Sequence, residues 1–195
     1  QQVARLERQK QQGRRAQQYP QLIRRIVREG HELGNHTMNH LRREKVDPEQ
    51  VGQEILTTQK VICNQGLVQS QLFRPPYGEF QPQDLDRVAT AGLRLILWDV
   101  DTRDWQHRNP GQTVQAVVKQ TRPGSIILMH DIFATTTQAL PEVITTLRQR
   151  GLQPVTVSEL LQPTQPASAP VRGRPQASRN PNVTASEFPR ISAGG

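Results

Sequence analysis

Start and stop signals for helices recur from residue 20 to residue 161, with short apolar runs between them. The signals predict helices at 20–29, 48–64, 83–91, 114–120, 137–150 and 158–161. The apolar runs predict strands at 72–73, 93–100, 125–129 and 154–157, with 31–34 as a further short candidate. Regular alternation of helix and strand is typical of an α/β architecture with parallel strands.

Charge is concentrated at the two ends of the chain. The whole chain carries +8, of which residues 1–29 carry +6 and residues 162–195 carry +3, so the middle is nearly neutral. A neutral middle argues against a nucleic-acid-binding domain. We predict a basic Gln/Arg-rich segment over 1–17 that supplies no core strand, a folded domain over 18–161, and a disordered Pro/Ser/Ala/Arg-rich tail over 162–195.

Cysteine content and hydropathy exclude several other possibilities. Cys63 is the only cysteine, so neither an intrachain disulfide nor a cysteine-based metal site is expected. The sequence has no run of 18 apolar residues and no visible signal peptide, so no transmembrane segment is predicted. We expect a monomer.

Two sequence motifs hold polar side chains close together over a few residues of chain. His36 and His40 are four residues apart, which lets both imidazoles reach one metal ion, although such a pair taken alone is more often at a surface or a cap. Arg74 and Tyr77 belong to the run Arg-Pro-Pro-Tyr-Gly, whose prolines fix an irregular loop. Taken alone, that loop has a serious competing explanation as a rigid turn.

Two further motifs follow predicted strands. Asp99, Asp101 and Asp104 precede Trp105 at the end of one strand, and Leu128 leads to His130 at the end of another. The carboxyl ends of parallel strands are where α/β folds place their active sites. By itself, the aspartate motif could be a polar loop in which an aspartate caps a helix. By itself, the histidine motif could be a buried histidine whose hydrogen bonds are satisfied.

The four motifs in this order resemble the polysaccharide deacetylase family, also described as the NodB homology domain or carbohydrate esterase family 4. The matching residues are His36-Thr37-x-x-His40, Arg74-x-Pro76-Tyr77-Gly78, Asp101-x-x-Asp104-Trp105 and Leu128-x-His130. The resemblance covers roughly residues 18–161. It implies a distorted (β/α) barrel, incomplete at the N-terminus, with the site at the strand carboxyl ends.

The resemblance also implies a role for each matching residue. His36 and His40 would bind Zn²⁺ or another divalent transition metal, and His130 would protonate the leaving amine while Asp104 orients it. Arg74 would orient a catalytic base. The Tyr77 backbone N–H would hold the oxyanion, and Trp105 and Leu128 would shape the acetate pocket. The implied partner is an N-acetylated polysaccharide, peptidoglycan or chitin-like, in the cell envelope or outside the cell.

The sequence departs from the family pattern upstream of His36. The family begins with a strand ending Thr-Phe-Asp-Asp-Gly-Pro, whose aspartates are the base and the third metal ligand. Residues 1–35 contain no aspartate, and neither Glu7 nor Glu29 has a predicted strand before it. We therefore expect weak metal binding, impaired activity and an open sheet edge. A truncated chain ranks first as the explanation and a natural pseudoenzyme second.

Three hypotheses for function follow. The first is a metal-dependent deacetylase of an N-acetylglucosamine-containing polysaccharide, a hydrolase of carbon–nitrogen bonds other than peptide bonds. The second is an inactive glycan-binding module of the same fold. The third is an interaction protein with basic ends and no site. Convergence of the four motifs would separate the first from the third.

Overall fold

The computed structural model describes residues 2–6 and 12–162. The tail predicted over 162–195 lies outside this range except for Gln162, and Glu7 also lies outside it. Six strands are described: β1 (Gln2–Leu6), β2 (Leu72–Phe73), β3 (Arg94–Leu95), β4 (Val100–Asp101), β5 (Ile126–Leu128) and β6 (Gln153–Val155). The helices are α1 (Gln12–Gln18), α2 (Pro20–Arg28), α3 (Pro48–Gly66), α4 (Pro82–Thr90), α5 (Asp104–His107), α6 (Pro110–Gln120), α7 (Ala134–Gln149) and α8 (Val157–Leu160).

All of these strands pair in parallel. Four of them form a sheet in the order β4-β5-β1-β6, and β2 pairs with β3 in a second, two-stranded sheet. Asn35 adds an isolated parallel bridge to Phe73 beside β2. Short parallel strands alternating with helices agree with the expected α/β barrel architecture.

The prediction that residues 1–17 supply no core strand is wrong. Strand β1 lies inside the four-stranded sheet, with Leu6 paired to Leu128 of β5 and Gln2 paired to Gln153 of β6. Parallel neighbours on both sides offer hydrogen-bond partners to every residue of this strand, and such tertiary pairing outweighs a weak local β-propensity. The open sheet edge that we expected from a missing N-terminal strand is therefore not found between β5 and β6, because β1 lies there.

Two other strand predictions need correction. The run 93–100 is not one strand, because β3 pairs with β2 while β4 pairs with β5, so the chain passes from one sheet to the other between them. Residues 31–34 form no strand, and only Asn35 makes a bridge. An apolar run alone cannot reveal such a change of partner.

Helix boundaries follow local capping chemistry. Asp47 accepts a hydrogen bond from the Gln50 N–H and Pro48 opens α3, as predicted. Asn109 and Pro110 repeat this arrangement at the start of α6. Thr156 and Glu159 form a reciprocal capping box that starts α8 at Val157, which ends the β6 strand earlier than predicted.

The core consists of separate apolar clusters around the two sheets. One joins β4 and β5 to α6 and α7, and its buried members include Val100, Val117, Ile127, Met129 and Val143. Another joins α3 and α4 to β2 through Val51, Ile55, Phe73, Val88 and Leu93. These clusters hold the strand ends rigidly, which positions the polar side chains described next.

Candidate active site

The His36–His40 segment is a tight loop directly after the Asn35 bridge. Thr37 and His40 have φ values of 65° and 55°, a left-handed conformation that is rare outside glycine. The His40 N–H donates to Thr37 Oγ1 at 3.1 Å, and the two imidazole centroids lie 4.8 Å apart. Backbone strain of this kind is concentrated at functional sites, and here it brings the two rings side by side.

The His36 imidazole presents one free nitrogen. Its Nδ1–H donates to the Arg74 carbonyl, so Nε2 carries the lone pair. Nε2 is buried and has no hydrogen-bond partner among the described residues. Burial, and next the charge of Arg74, keeps the pKa of His36 well below its usual range. A neutral imidazole with an unused nitrogen is the form that ligates a metal.

Glu54 of α3 holds the His36–His40 loop through hydrogen bonds, and the sequence analysis did not predict this role. Its Oε2 accepts the N–H groups of Met38 at 2.9 Å and Asn39 at 2.8 Å, and its Oε1 accepts the Asn39 side-chain amide. Glu54 is only 9% exposed although it is acidic. A glutamate within the apolar stripe that contains Val51 and Ile55 is the signal that would have found it.

The Arg74–Gly78 loop adds a cation and an aromatic ring. Arg74 is 5% exposed, and burial lowers its pKa to about 9. Tyr77 has a φ of 58°, and its ring centroid lies 4.7 Å from that of His40. The loop thus shares a surface with the histidine pair, which a mere rigid turn would not require.

A buried carboxylate–imidazole pair lies at the end of β5. Asp104 Oδ1 accepts from His130 Nδ1 at 2.7 Å, while Oδ2 accepts from the His130 backbone N–H at 2.6 Å and from Thr136 Oγ1 at 2.7 Å. Burial alone would raise the pKa of Asp104, but the hydrogen bonds from His130 and Thr136 outweigh it and the pKa is lowered. Thr136, which the sequence did not single out, helps to keep this carboxylate ionised.

The remaining predicted residues fall into different environments. Trp105 is 47% exposed next to Asp104, whereas Leu128 is buried within β5. Asp101 accepts the Arg103 N–H at the end of β4. Asp99 accepts from Ser125 Oγ and the Ile126 N–H, at the start of β5 and therefore at the opposite end of that strand from His130. Asp99 thus stabilises the sheet and does not face the site.

The four motifs converge on one region. His36 and Arg74 line a cavity of about 820 Å³, together with Asp131, the residue after His130. The charges of His40 and His130 both contribute to lowering the pKa of His36, which requires them to be near it. The cluster brings together His36, His40, Arg74, Tyr77, Asp104 and His130.

The described residues offer a limited set of groups that could bind a metal ion. Within residues 2–6 and 12–162, no group of three or more His, Cys, Asp or Glu side chains is arranged to hold a metal ion. The unpartnered Nε2 of His36 fits a metal ligand, and the adjacent His40 ring supplies a second imidazole. The described residues therefore provide part of a metal site.

Comparison with known proteins decides the family. A family model described as polysaccharide deacetylase matches residues 11–96. A peptidoglycan-N-acetylglucosamine deacetylase of Bacillus cereus is 36% identical over 154 residues, covering 76% of this chain and 72% of that protein. The chain belongs to the polysaccharide deacetylase family.

Other relatives of this polysaccharide deacetylase family member differ in how much of their length the chain covers. The peptidoglycan-N-acetylglucosamine deacetylase PgdA of Listeria monocytogenes is 38% identical over 143 residues, which is 73% of this chain but 30% of that protein. The chain therefore spans less than a third of the length of this relative. A chitooligosaccharide deacetylase of Bradyrhizobium is also 38% identical, over 69% of this chain and 68% of that protein.

Solved structures agree with this fold. The family 4 carbohydrate esterase from Streptomyces lividans, in complex with acetate, superposes with a TM-score of 0.73 at 36% identity and covers 79% of each chain. BA3943 of Bacillus anthracis, described as a pseudoenzyme of the same family, superposes with a TM-score of 0.75 at 28% identity over 82% of this chain and 56% of that one. The fold is thus shared by a carbohydrate esterase and by a protein described as a pseudoenzyme.

Proposed function

We propose that this chain is a deacetylase domain that hydrolyses N-acetyl groups of an N-acetylglucosamine-containing polysaccharide, and that its activity is impaired. Peptidoglycan and chitin-like glycans are the proposed substrates, which places the protein in the cell envelope or outside the cell. The observation that carries the proposal is the buried Asp104–His130 pair close to His36 and His40.

His130 is proposed to act as the general acid. Its Nδ1–H is held by Asp104, so its Nε2 is left to deliver a proton. Water adds to the acetamide carbonyl carbon and loses a proton to a general base. The imidazolium form of His130 gives its Nε2 proton to the leaving nitrogen as the carbon–nitrogen bond breaks, so that acetate and the sugar amine are released and His130 is reprotonated from solvent. The Tyr77 N–H is proposed to hold the oxyanion, and Trp105 and Leu128 to bound the acetate pocket.

His36 and His40 are proposed to hold the metal, Zn²⁺ or another divalent transition metal. A bound zinc ion supplies Lewis-acid polarisation of the carbonyl and a water of lowered pKa. The neutral state of His36 supports this assignment. With two imidazoles and no third ligand from the described residues, affinity for the metal is expected to be low.

Impairment is expected because no carboxylate within residues 2–6 and 12–162 pairs with Arg74 to act as a general base. Loss of a general base typically costs about 10²–10⁴-fold in rate.

The decisive experiment replaces residues 1–12 with a family segment that carries Asp-Asp, and measures acetate release from N-acetylglucosamine oligomers and from peptidoglycan with zinc present. We expect the hybrid to exceed the parent by about this factor, and His130→Ala in the hybrid to abolish the gain.

Two outcomes would contradict the proposal in different ways. A folded, zinc-loaded hybrid that releases no acetate would remove the deacetylase assignment. Equal turnover by the parent and the hybrid would show that another residue already acts as the base, so only the impairment would be wrong.

An inactive glycan-binding module is the second candidate, and the fold shared with the BA3943 pseudoenzyme favours it. A mutant of BA3943 is described as having restored enzymatic activity, so that protein retained a reparable site. This candidate predicts that N-acetylglucosamine oligomers bind the parent chain without turnover. Trp105→Ala should weaken that binding, whereas Leu67→Ala, at an exposed apolar residue in the turn after α3, should not.

A further inference from the structure

Arg108 lies at the end of α5, and its backbone and side chain are both held in a fixed conformation. Its φ is 51°, in the left-handed region where glycine or asparagine is usual at the end of a helix. Its backbone N–H donates to the Asp104 carbonyl at 3.1 Å, and its Nε–H donates to the Trp105 carbonyl at 2.7 Å. An arginine therefore occupies a position whose backbone favours a smaller residue, and such strain is typical of functional positions.

The guanidinium of Arg108 stacks on an aromatic ring next to the proposed general acid. Its carbon lies 3.5 Å from the centroid of the Phe133 ring, and that centroid lies 6.0 Å from the centroid of the His130 imidazole. A guanidinium on the face of an aromatic ring is held there by a cation–π attraction. A single aromatic ring thus links the Arg108 cation to the proposed acid.

The terminal nitrogens of Arg108 remain available to a ligand. Among the residues that the structure describes, no carboxylate forms an ion pair with Arg108, and its side-chain hydrogen bond uses Nε. The residue is exposed. By contrast, Arg42, which stacks over the Tyr77 ring, pairs with Glu79 at 2.6 Å. Of these two stacked arginines, Arg108 is the one whose charge is left for a ligand in the groove.

We propose that Arg108 selects glycans in which the sugar next to the reacting N-acetylglucosamine carries a carboxylate, as N-acetylmuramic acid does when its lactyl group is free. A guanidinium pairs with a carboxylate through parallel N–H donors, and a side chain that is already fixed loses little entropy on binding. A neutral chitin-like glycan offers Arg108 no such partner. The inference rests on the proposed function, because it assigns a substrate preference to the same site.

The test measures binding of matched disaccharides to the full chain by NMR titration at low ionic strength. The acidic ligand is N-acetylglucosaminyl-β-1,4-N-acetylmuramic acid, and the control is its lactyl methyl ester, which has the same sugars without the charge. The acid should bind about two- to fivefold more tightly, the range for an exposed ion pair. In about 1 M NaCl, where the screening length falls to about 3 Å, this difference should largely disappear.

Charge reversal assigns the preference to Arg108. Arg108→Glu should invert it, so that the ester binds more tightly than the acid. Arg108→Asn should bind both ligands equally and unfold near the midpoint of the parent, since asparagine tolerates the left-handed conformation. Arg122→Glu makes the same change of net charge at an exposed arginine in the turn before β5, at the opposite end of that strand from His130, and should keep the preference of the parent.

Several results would overturn the inference. Equal binding of acid and ester by the parent, with an N-acetylglucosamine tetramer also bound, would leave the proposed function intact and remove only the role of Arg108. A preference that persists in Arg108→Asn would place the contact elsewhere, and one that Arg122→Glu also inverts would reflect net charge alone. Failure of every glycan to bind, the tetramer included, would remove the proposed function together with this inference.

Discussion

At the scale of single residues, the site depends on carboxylates that accept backbone N–H groups. Glu54 accepts two from the histidine loop, and Asp104 accepts one from His130. Hydrogen bonds to an ionised acceptor are stronger than neutral ones. These two side chains therefore fix the backbone on which His36, His40 and His130 are carried.

Replacing Glu54 tests the first of these supports. Glu54→Ala leaves the Met38 and Asn39 N–H groups without their acceptor, which should cost about 1–3 kcal/mol of unfolding free energy. Zn²⁺ binding measured by calorimetry should weaken more than in Gln53→Ala, a solvent-facing neighbour on α3. Unchanged Zn²⁺ affinity in a destabilised Glu54→Ala chain would show that Glu54 stabilises the fold without positioning the metal ligands.

The ionised state of Asp104 should be visible in the pH dependence of stability. Because its pKa is lowered in the folded chain, its contribution is complete above the unfolded value of about 4 and is lost as the pH falls through the folded value. Thermal midpoints measured between neutral and acidic pH should therefore fall less steeply for Asp104→Asn than for the parent. Asp86→Asn, at an exposed carboxylate, serves as the control, and a parent-like slope for Asp104→Asn would contradict the assignment.

At the scale of elements, helix α1 approaches the histidine loop closely through a glycine. A Cβ on Gly13 would lie 2.8 Å from Met38 Cα and even closer to its sulfur. Real Cβ atoms do not come this near to backbone atoms, so the contact requires glycine. Helix α1 thus packs directly against the loop that carries His36 and His40.

Two glycine substitutions separate helix propensity from packing. Alanine favours a helix over glycine by about 1 kcal/mol. Gly111→Ala, with only Asn109 Oδ1 nearby at 3.4 Å in the first turn of α6, should be neutral or stabilising. Gly13→Ala should instead lower the thermal midpoint, despite its better propensity. A stabilised Gly13→Ala chain would mean that α1 can move away from Met38 at little cost.

Sequence patterns predicted elements well where the determinants were local. Proline and cap residues located the start of α3, and the apolar run before His130 located β5. Prediction failed where distant partners decide the structure, as in β1 and in the division of 93–100 between β3 and β4. At the site, motif order identified the histidines and Asp104, whereas Glu54 and Thr136 act through hydrogen bonds that only the folded chain reveals.

At the scale of the whole molecule, the four-stranded sheet is held together by β1. No helix in the described ranges is long and apolar enough to cross a bilayer. Ala4 pairs with Ile126 on one side and Val155 on the other. A change that removes one ladder donor here therefore affects a strand with neighbours on both sides.

Proline at position 4 tests this role. Ala4→Pro removes the backbone N–H and leaves a carbonyl without its donor, at a cost of about 1–3 kcal/mol. In a chain of this size, that lowers the thermal midpoint by roughly 2–12 °C. Ala4→Ser keeps the N–H and should have a much smaller effect. Equal midpoints for the proline variant and the parent would show that β1 does not contribute to the ladder.

The pairing of Gln2 with Gln153 also constrains the timing of folding. The partners of β1 lie about 120–150 residues further along the chain, so closing this sheet carries a large loop-closure cost and a high contact order. At ribosomal rates of about 5–20 residues per second, β1 leaves the ribosome on the order of ten seconds before β6 exists. During that interval α1 to α4 can pack locally, whereas the four-stranded sheet can close only after β6 has been made.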